Sequence, residues 1–238
     1  VLTGRLNCAS GSTPRDAGII YGGFKTPLSQ SLTEEYNGSG WTENGNLNTA
    51  RQQFPGFGTQ TAAVGAGGYV NGSGDVANVE EYNGSSWTEV GDMNTAKTQG
   101  AAAGQSPYQN SIMFAGSPTL AVAETWNGSS WTEVNNLGQA RNRLAAVGLV
   151  TAALAYGGYG APYYALTESW NGTSWSEVAD LNTARHSSGS GMGSSNTAAL
   201  ATTGSTTGPG TGMPSAVEQW DGSSWTEVGS RNINTTQG

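Results

Sequence analysis

Glutamates recur in step along this chain. One set falls at Glu34, Glu80, Glu124, Glu168 and Glu218 and a second at Glu43, Glu89, Glu133, Glu177 and Glu227, so ten of the seventeen acidic residues occupy two repeating positions. Two carboxylates held close can serve as the acid and base of glycoside hydrolysis, but a catalytic pair belongs to one place in a protein. Fivefold repetition therefore favours a structural role. A base recurs in the same rhythm at Arg51, Lys97, Arg141 and Arg185, and its guanidinium fork or ammonium can pair with the first glutamate set and tie one repeat to the next. The rest of the chemical inventory is thin. His186 is the only histidine and Cys8 the only cysteine, which leaves too few ligands for a histidine-based metal site, no Cys-His dyad and no internal disulfide. A serine nucleophile would have to rely on His186 in the run His186-Ser-Ser-Gly-Ser-Gly191, and no nucleophile-elbow sequence is present. Gly189-Ser-Gly-Met-Gly193 lacks the Lys-Ser/Thr ending of a phosphate loop, and Asp16, Asp75 and Asp92 stand alone, far from a calcium-loop pattern. These residues read as those of a non-enzyme that requires no cofactor and no metal.

The recurring glutamates belong to a longer phrase. Glu34-Glu35-Tyr36-Asn37-Gly38-Ser39-Gly40-Trp41-Thr42-Glu43 returns four more times, with Trp41, Trp87, Trp131, Trp175 and Trp225 spaced 46, 44, 44 and 50 residues apart. A period of this size marks a stacked or circular repeat architecture. Within the second unit, Thr61 to Gly68 reads as a buried strand of small residues. Val79 to Tyr82 and Ser86 to Val90 read as a hairpin across Asn83-Gly84, with a first strand near Phe54 to Gly58. Asn-Gly here predicts a two-residue hairpin turn. Four strands make one propeller blade, so the chain is expected to be an all-β, single-domain, five-bladed β-propeller over 1–238, with blades at about 11–47, 51–93, 97–137, 141–181 and 185–230.

Alternation places the Trp of each phrase on the same face as the aromatic at the hairpin's other side, giving the pairs Tyr36/Trp41, Tyr82/Trp87, Trp126/Trp131, Trp170/Trp175 and Trp220/Trp225. Such rings read as glue between sheets. The small-residue strands Ala17 to Gly23, Ala62 to Gly68, Ser111 to Gly116, Ala152 to Gly158 and Ala198 to Gly204 are expected to crowd the axis, where backbones approach closely. Both termini carry linker-like sequence. Leu6-Asn7-Cys8-Ala9-Ser10 echoes Leu47 to Arg51, and Asn234 to Gly238 echoes Asn94 to Gly100, so 1–10 and 231–238 are candidate closing strands.

The unit Gly67-Gly68, Tyr82, Trp87 with Arg51 or Lys97 resembles the kelch repeat, although the diglycine weakens to Ala115-Gly116 and Thr203-Gly204 in two units. More closely, Trp126-Asn-Gly-Ser-Ser-Trp-Thr-Glu-Val134 with Asp180-Leu-Asn-Thr-Ala-Arg185 is similar to kelch-like repeats in tail-fibre and other virion proteins of marine bacteriophages. That resemblance implies a virion-surface or extracellular location and, as partners, other virion proteins or a host-surface glycan or protein. Some kelch-like propellers carry copper-oxidase sites, whose ligands are missing here.

Charge narrows the partners further. A net charge of −8, with nine dispersed Lys and Arg, disfavours nucleic acid and anionic lipid. No apolar run reaches spanning length and no signal-type segment opens at Val1, which reads as a processed form or a piece of something longer.

What differs between units is the connection between the second and third strands, at 24–33, 69–78, 117–123, 159–167 and 205–217. Recognition on a rigid scaffold concentrates in such loops, which makes Phe24, Tyr69, Tyr159, Tyr163 and Tyr164 the candidate ligand-binding residues. The expected function is a non-enzymatic attachment or structural module. The alternatives are a soluble lectin with one weak sugar site per blade and a capsid or tail decoration subunit.

Overall fold

A computed structural model describes residues 1–12, 16–104, 110–186, 191–206 and 216–230. The chain is a β-propeller of five four-stranded antiparallel blades, the arrangement expected of a kelch-like repeat protein. Blade one comprises Ala9–Ser12 (β1), Gly18–Tyr21 (β2), Thr33–Tyr36 (β5) and Trp41–Asn44 (β6), with a small hairpin, Phe24–Lys25 (β3) and Leu28–Ser29 (β4), in its variable connection. Blade two comprises Gly56–Thr59 (β7), Ala62–Val70 (β8), Gly74–Tyr82 (β9) and Trp87–Glu89 (β10). Blade three comprises Ala101–Ala103 (β11), Ser111–Gly116 (β12), Leu120–Trp126 (β13) and Trp131–Val134 (β14). Ala145–Leu149 (β15), Ala152–Tyr156 (β16), Thr167–Trp170 (β17) and Trp175–Val178 (β18) make blade four, and Met192–Ser195 (β19), Ala198–Ala201 (β20), Ala216–Trp220 (β21) and Trp225–Ser230 (β22) make blade five.

Alternation along the strands builds the cores between blades. The aromatic pair of each phrase meets across its hairpin, with ring centroids 5.0–5.5 Å apart, and in blades two to five it packs on the blade before it. Trp87 lies against Tyr21 of blade one, Trp175 against Phe114 of blade three and Trp225 against Tyr156 of blade four. The Tyr21 and Tyr156 hydroxyls, both buried, donate across the same junctions to the Val64 and Leu200 carbonyls, at 2.8 and 3.0 Å. Apolar cores of this kind join blades one and two, two and three, three and four, and four and five. Among the described residues, the remaining pair of faces is more open. On blade five Met192 and Val228 are 56% and 52% exposed, and on blade one Tyr36 and Trp41 are only half-buried.

Three expectations change in detail. The connection after each hairpin strand is a four-residue loop, because Tyr36 pairs with Trp41 and Tyr82 with Trp87. Its Asn turns the chain with its side chain: Asn83 Oδ1 accepts the Ser85 and Ser86 N–H groups, both at 3.0 Å, while Gly84 takes φ 94°. In blade five Asp221 does the same, and those N–H donors hold its carboxyl down to about 2. The small-residue strands are second from the axis; the strands preceding them (β1, β7, β11, β15 and β19) are the inner ones. Small side chains such as Ala63, Ala153 and Ala155 there make room for the neighbouring blade's rings. Finally, the first blade starts at Ala9, ahead of residue 11, and the N-terminal segment supplies its inner strand. Residues 231–238, the other candidate closing strand, lie outside the described residues.

Candidate functional site at the axial face

The recurring charges turn out to be joints. Each base stands in the linker that leaves one blade and pairs with the glutamate of the next: Arg51 with Glu80 at 3.1 Å, Lys97 with Glu124 at 3.0 Å, Arg141 with Glu168 at 3.1 Å and Arg185 with Glu218 at 2.5 Å, all with side chains at most 5% exposed. Backbone amides complete the carboxylate's shell. Glu80 accepts from Asn48 N–H at 2.7 Å, Asn48 Nδ2 at 2.9 Å and Thr49 N–H at 3.3 Å, and Glu124 and Glu218 repeat that pattern with Asn94-Thr95 and Asn182-Thr183. Burial alone lowers the basicity of Arg51, Lys97 and Arg141, and the facing glutamates oppose it. In the Glu80, Glu124 and Glu218 joints the hydrogen bonds offset the cost of taking the charges out of water, whereas among the described residues Glu168 accepts only the Gly138 N–H at 2.7 Å and faces Arg141 through the ion pair alone.

A fifth joint completes the series, with its base 46 residues before Arg51, the interval that also separates Arg51 from Lys97. Arg5 pairs with Glu34, and the Leu2 and Thr3 N–H groups donate to the same carboxylate. The segment equivalent to Asn48–Arg51 is therefore Leu2–Arg5, five residues ahead of the register in which Leu6 to Ser10 echoes Leu47 to Arg51. The signal was the base itself, since Leu6, Gln52, Thr98, Asn142 and His186 each follow a joint base and each bridge to the residue after the glycine pair or its equivalent.

That shared bridge sets the geometry of one propeller face. Phe24, Tyr69, Ser117, Tyr159 and Ser205 are the five bridged partners, so three of the candidate aromatics occupy equivalent places around the axis. The next residue along each linker forms a collar just before the inner strand. Asn7, Gln53, Gln99 and Arg143 take φ 54°, 59°, 53° and 53°, and each N–H after the first donates to the preceding collar carbonyl, at 3.1, 2.8 and 2.8 Å. Side chains continue the chain: Gln99 Nε2 donates to Gln53 Oε1 at 3.2 Å, and Arg143 Nε to Gln99 Oε1 at 3.0 Å. Left-handed backbone at four non-glycine residues costs of order 1 kcal/mol each and persists only where surroundings over-determine it. Sequence reasoning passed over these residues because polar amides in a linker carry no signal until the linkers are superposed on Arg5.

Blade four breaks the symmetry. Tyr159 is 37% exposed, and its ring lies 5.3 Å from that of Tyr163, which stacks on His186 at 5.1 Å and 28°. Tyr164 turns away, its backbone bonded to Gly158 and Arg185 and its hydroxyl accepting from Gln139 at 3.4 Å, as an anchor for the loop. His186 is 5% exposed with neither ring nitrogen hydrogen-bonded, and Asn142 Oδ1, in the linker that enters blade four, is likewise buried without a partner. Burial, followed by the Arg143 charge, lowers the His186 pKa, so the ring is neutral at physiological pH. Cys8 is half-buried, and burial raises its thiol pKa, which makes it a poor nucleophile. Among the described residues no three His, Cys, Asp or Glu side chains converge as metal ligands, and no helix is long and apolar enough to cross a membrane. No protein-family model matches this sequence, and no curated protein matches it.

Proposed function

We propose that this chain is a non-enzymatic attachment or structural module that presents its axial face to a protein or surface glycan. One observation carries the reading. The recurring charges and tryptophans are spent on joining blades, whereas the axial face gathers strained polar residues and aromatics that differ from blade to blade. Aromatics at three of five equivalent positions favour one composite site over five equal sugar sites. The virion or extracellular setting rests on the likeness of the repeats to those of marine bacteriophage tail-fibre proteins, and other virion proteins or a host-surface glycan are the partners that setting supplies.

The test is surface binding by the purified chain and by Tyr159→Ser/Tyr163→Ser. The double variant should melt like the parent yet bind host cells or assembled particles about tenfold more weakly, the scale of losing aromatic contacts at an interface. Binding equal to the parent's would move recognition away from this face. Antibody labelling that finds the chain on no assembled particle would remove the virion setting.

A further inference from the structure

The described lysines and arginines are almost all committed. Five of them are buried in the joints, and outside those pairs only Lys25 and Arg143 remain. Arg143 is also oriented. Its Nε is held by Gln99, which is held in turn by Gln53, while no described group bonds its terminal Nη nitrogens. A guanidinium fixed at Nε presents the Nη edge as a ready fork, the geometry that takes a carboxylate through two parallel hydrogen bonds. The other described collar positions carry neutral Asn or Gln, so this cation is a departure from the repeat rather than part of it.

The linker that carries the fork is bonded to a loop that carries groups a sugar needs. Arg143 follows Asn142, whose backbone exchanges hydrogen bonds of 2.9 and 2.8 Å with Tyr159. Tyr159, 37% exposed, offers an aromatic ring on which a pyranose can stack, and Tyr163 links that ring to His186. Beside Tyr163 the imidazole nitrogens of His186 are buried polar atoms with no partner, and so is Asn142 Oδ1 in the linker bonded to Tyr159, a costly arrangement that sugar hydroxyl groups reaching them would relieve. Resting on the reading of the axial face as the binding face, we infer that Arg143, Tyr159, Tyr163 and His186 form a site for a carboxylate-bearing sugar, its acid group on the Arg143 fork and its ring on Tyr159.

Calorimetric titration with methyl β-D-glucuronide and its neutral counterpart methyl β-D-glucoside tests this at neutral pH. The parent should bind the glucuronide about tenfold more tightly, the worth of a charge-assisted fork at a half-buried site. Arg143→Gln should erase that preference, Arg143→Lys should keep part of it, and Lys25→Gln, which removes the same charge elsewhere, should leave it intact. Each variant is first checked for an unchanged melting curve. Equal affinity for the two sugars, no binding of either, or an equal loss in Lys25→Gln and Arg143→Gln would overturn the site. Surface binding that survives such a result would leave the attachment reading standing, so the two failures are distinguishable.

Discussion

At the scale of single residues, the tryptophans of the repeat are alike in packing and unlike in hydrogen bonding. Trp87 Nε1 donates to Thr33 Oγ1 at 2.9 Å and Trp225 Nε1 to Thr167 Oγ1 at 3.0 Å, each across a blade junction. The residues equivalent to those threonines are Val79 and Ala123, and the indoles that face them, Trp131 and Trp175, have buried nitrogens with no partner. The missing hydroxyl, replaced by a methyl in Val79 and lost with the whole branch in Ala123, thus decides whether the donor is satisfied. Val79→Thr should therefore stabilise the protein by about 0.5–1.5 kcal/mol in denaturant melts, the net worth of a buried hydrogen bond, because the two side chains have nearly the same shape. Thr33→Val should cost about 1–3 kcal/mol by orphaning Trp87. If both changes shift the midpoint in the same direction, the indoles are not reading this position.

At the scale of elements, the linker contributes as much to blade joining as the strands do. Residues 1–8 form no regular strand, yet they bring Arg5 and two backbone donors to Glu34, a carboxylate only 2% exposed. Removing one partner of a buried pair leaves an uncompensated charge, which typically costs about 3–5 kcal/mol. Deletion of residues 1–8 should destabilise the chain on that scale, and the same deletion carrying Glu34→Gln should recover a substantial part. Loss of a merely frayed end would change neither melt. No recovery in the double variant would show that the segment acts through Ala9–Ser12, the inner strand it leads into, rather than through its charge.

For the whole molecule, the five repeats share one phrase and differ in their surroundings. Trp87 is 5% exposed between blades one and two, whereas Trp41, at the same place in the phrase, is only half-buried on the face that blade one turns away from blade two. Trp87→Ala should cost about 3–5 kcal/mol, the range for truncating a buried large aromatic, and Trp41→Ala should cost about 1–2 kcal/mol because part of its area is already wet. Equal losses would mean that blade five covers Trp41 in solution as closely as blade one covers Trp87.

Much of this architecture was legible in the residue order. A phrase of fixed length repeated five times sets both blade number and strand alternation, since side chains on a strand change face at every residue and aromatic pairs can meet only in one register. The glutamate and base positions were legible for the same reason, as charges that recur in every unit must serve what every unit shares. Arg5 escaped because Leu6 to Ser10 offers a competing echo of Leu47 to Arg51, while Leu2–Arg5 shares only its threonine and its base with Asn48–Arg51. The collar of Asn7, Gln53, Gln99 and Arg143, the stacking of Tyr163 on His186 and the turning away of Tyr164 had to come from the tertiary structure. Those features join residues 44–46 apart in sequence for the collar, or a blade-four loop and the linker that leaves that blade for the stack, and their contacts exist only once the blades and linkers stand side by side around the axis. Local pattern encodes the strand, but the neighbour that a side chain meets across a junction is chosen by how the strands close upon one another.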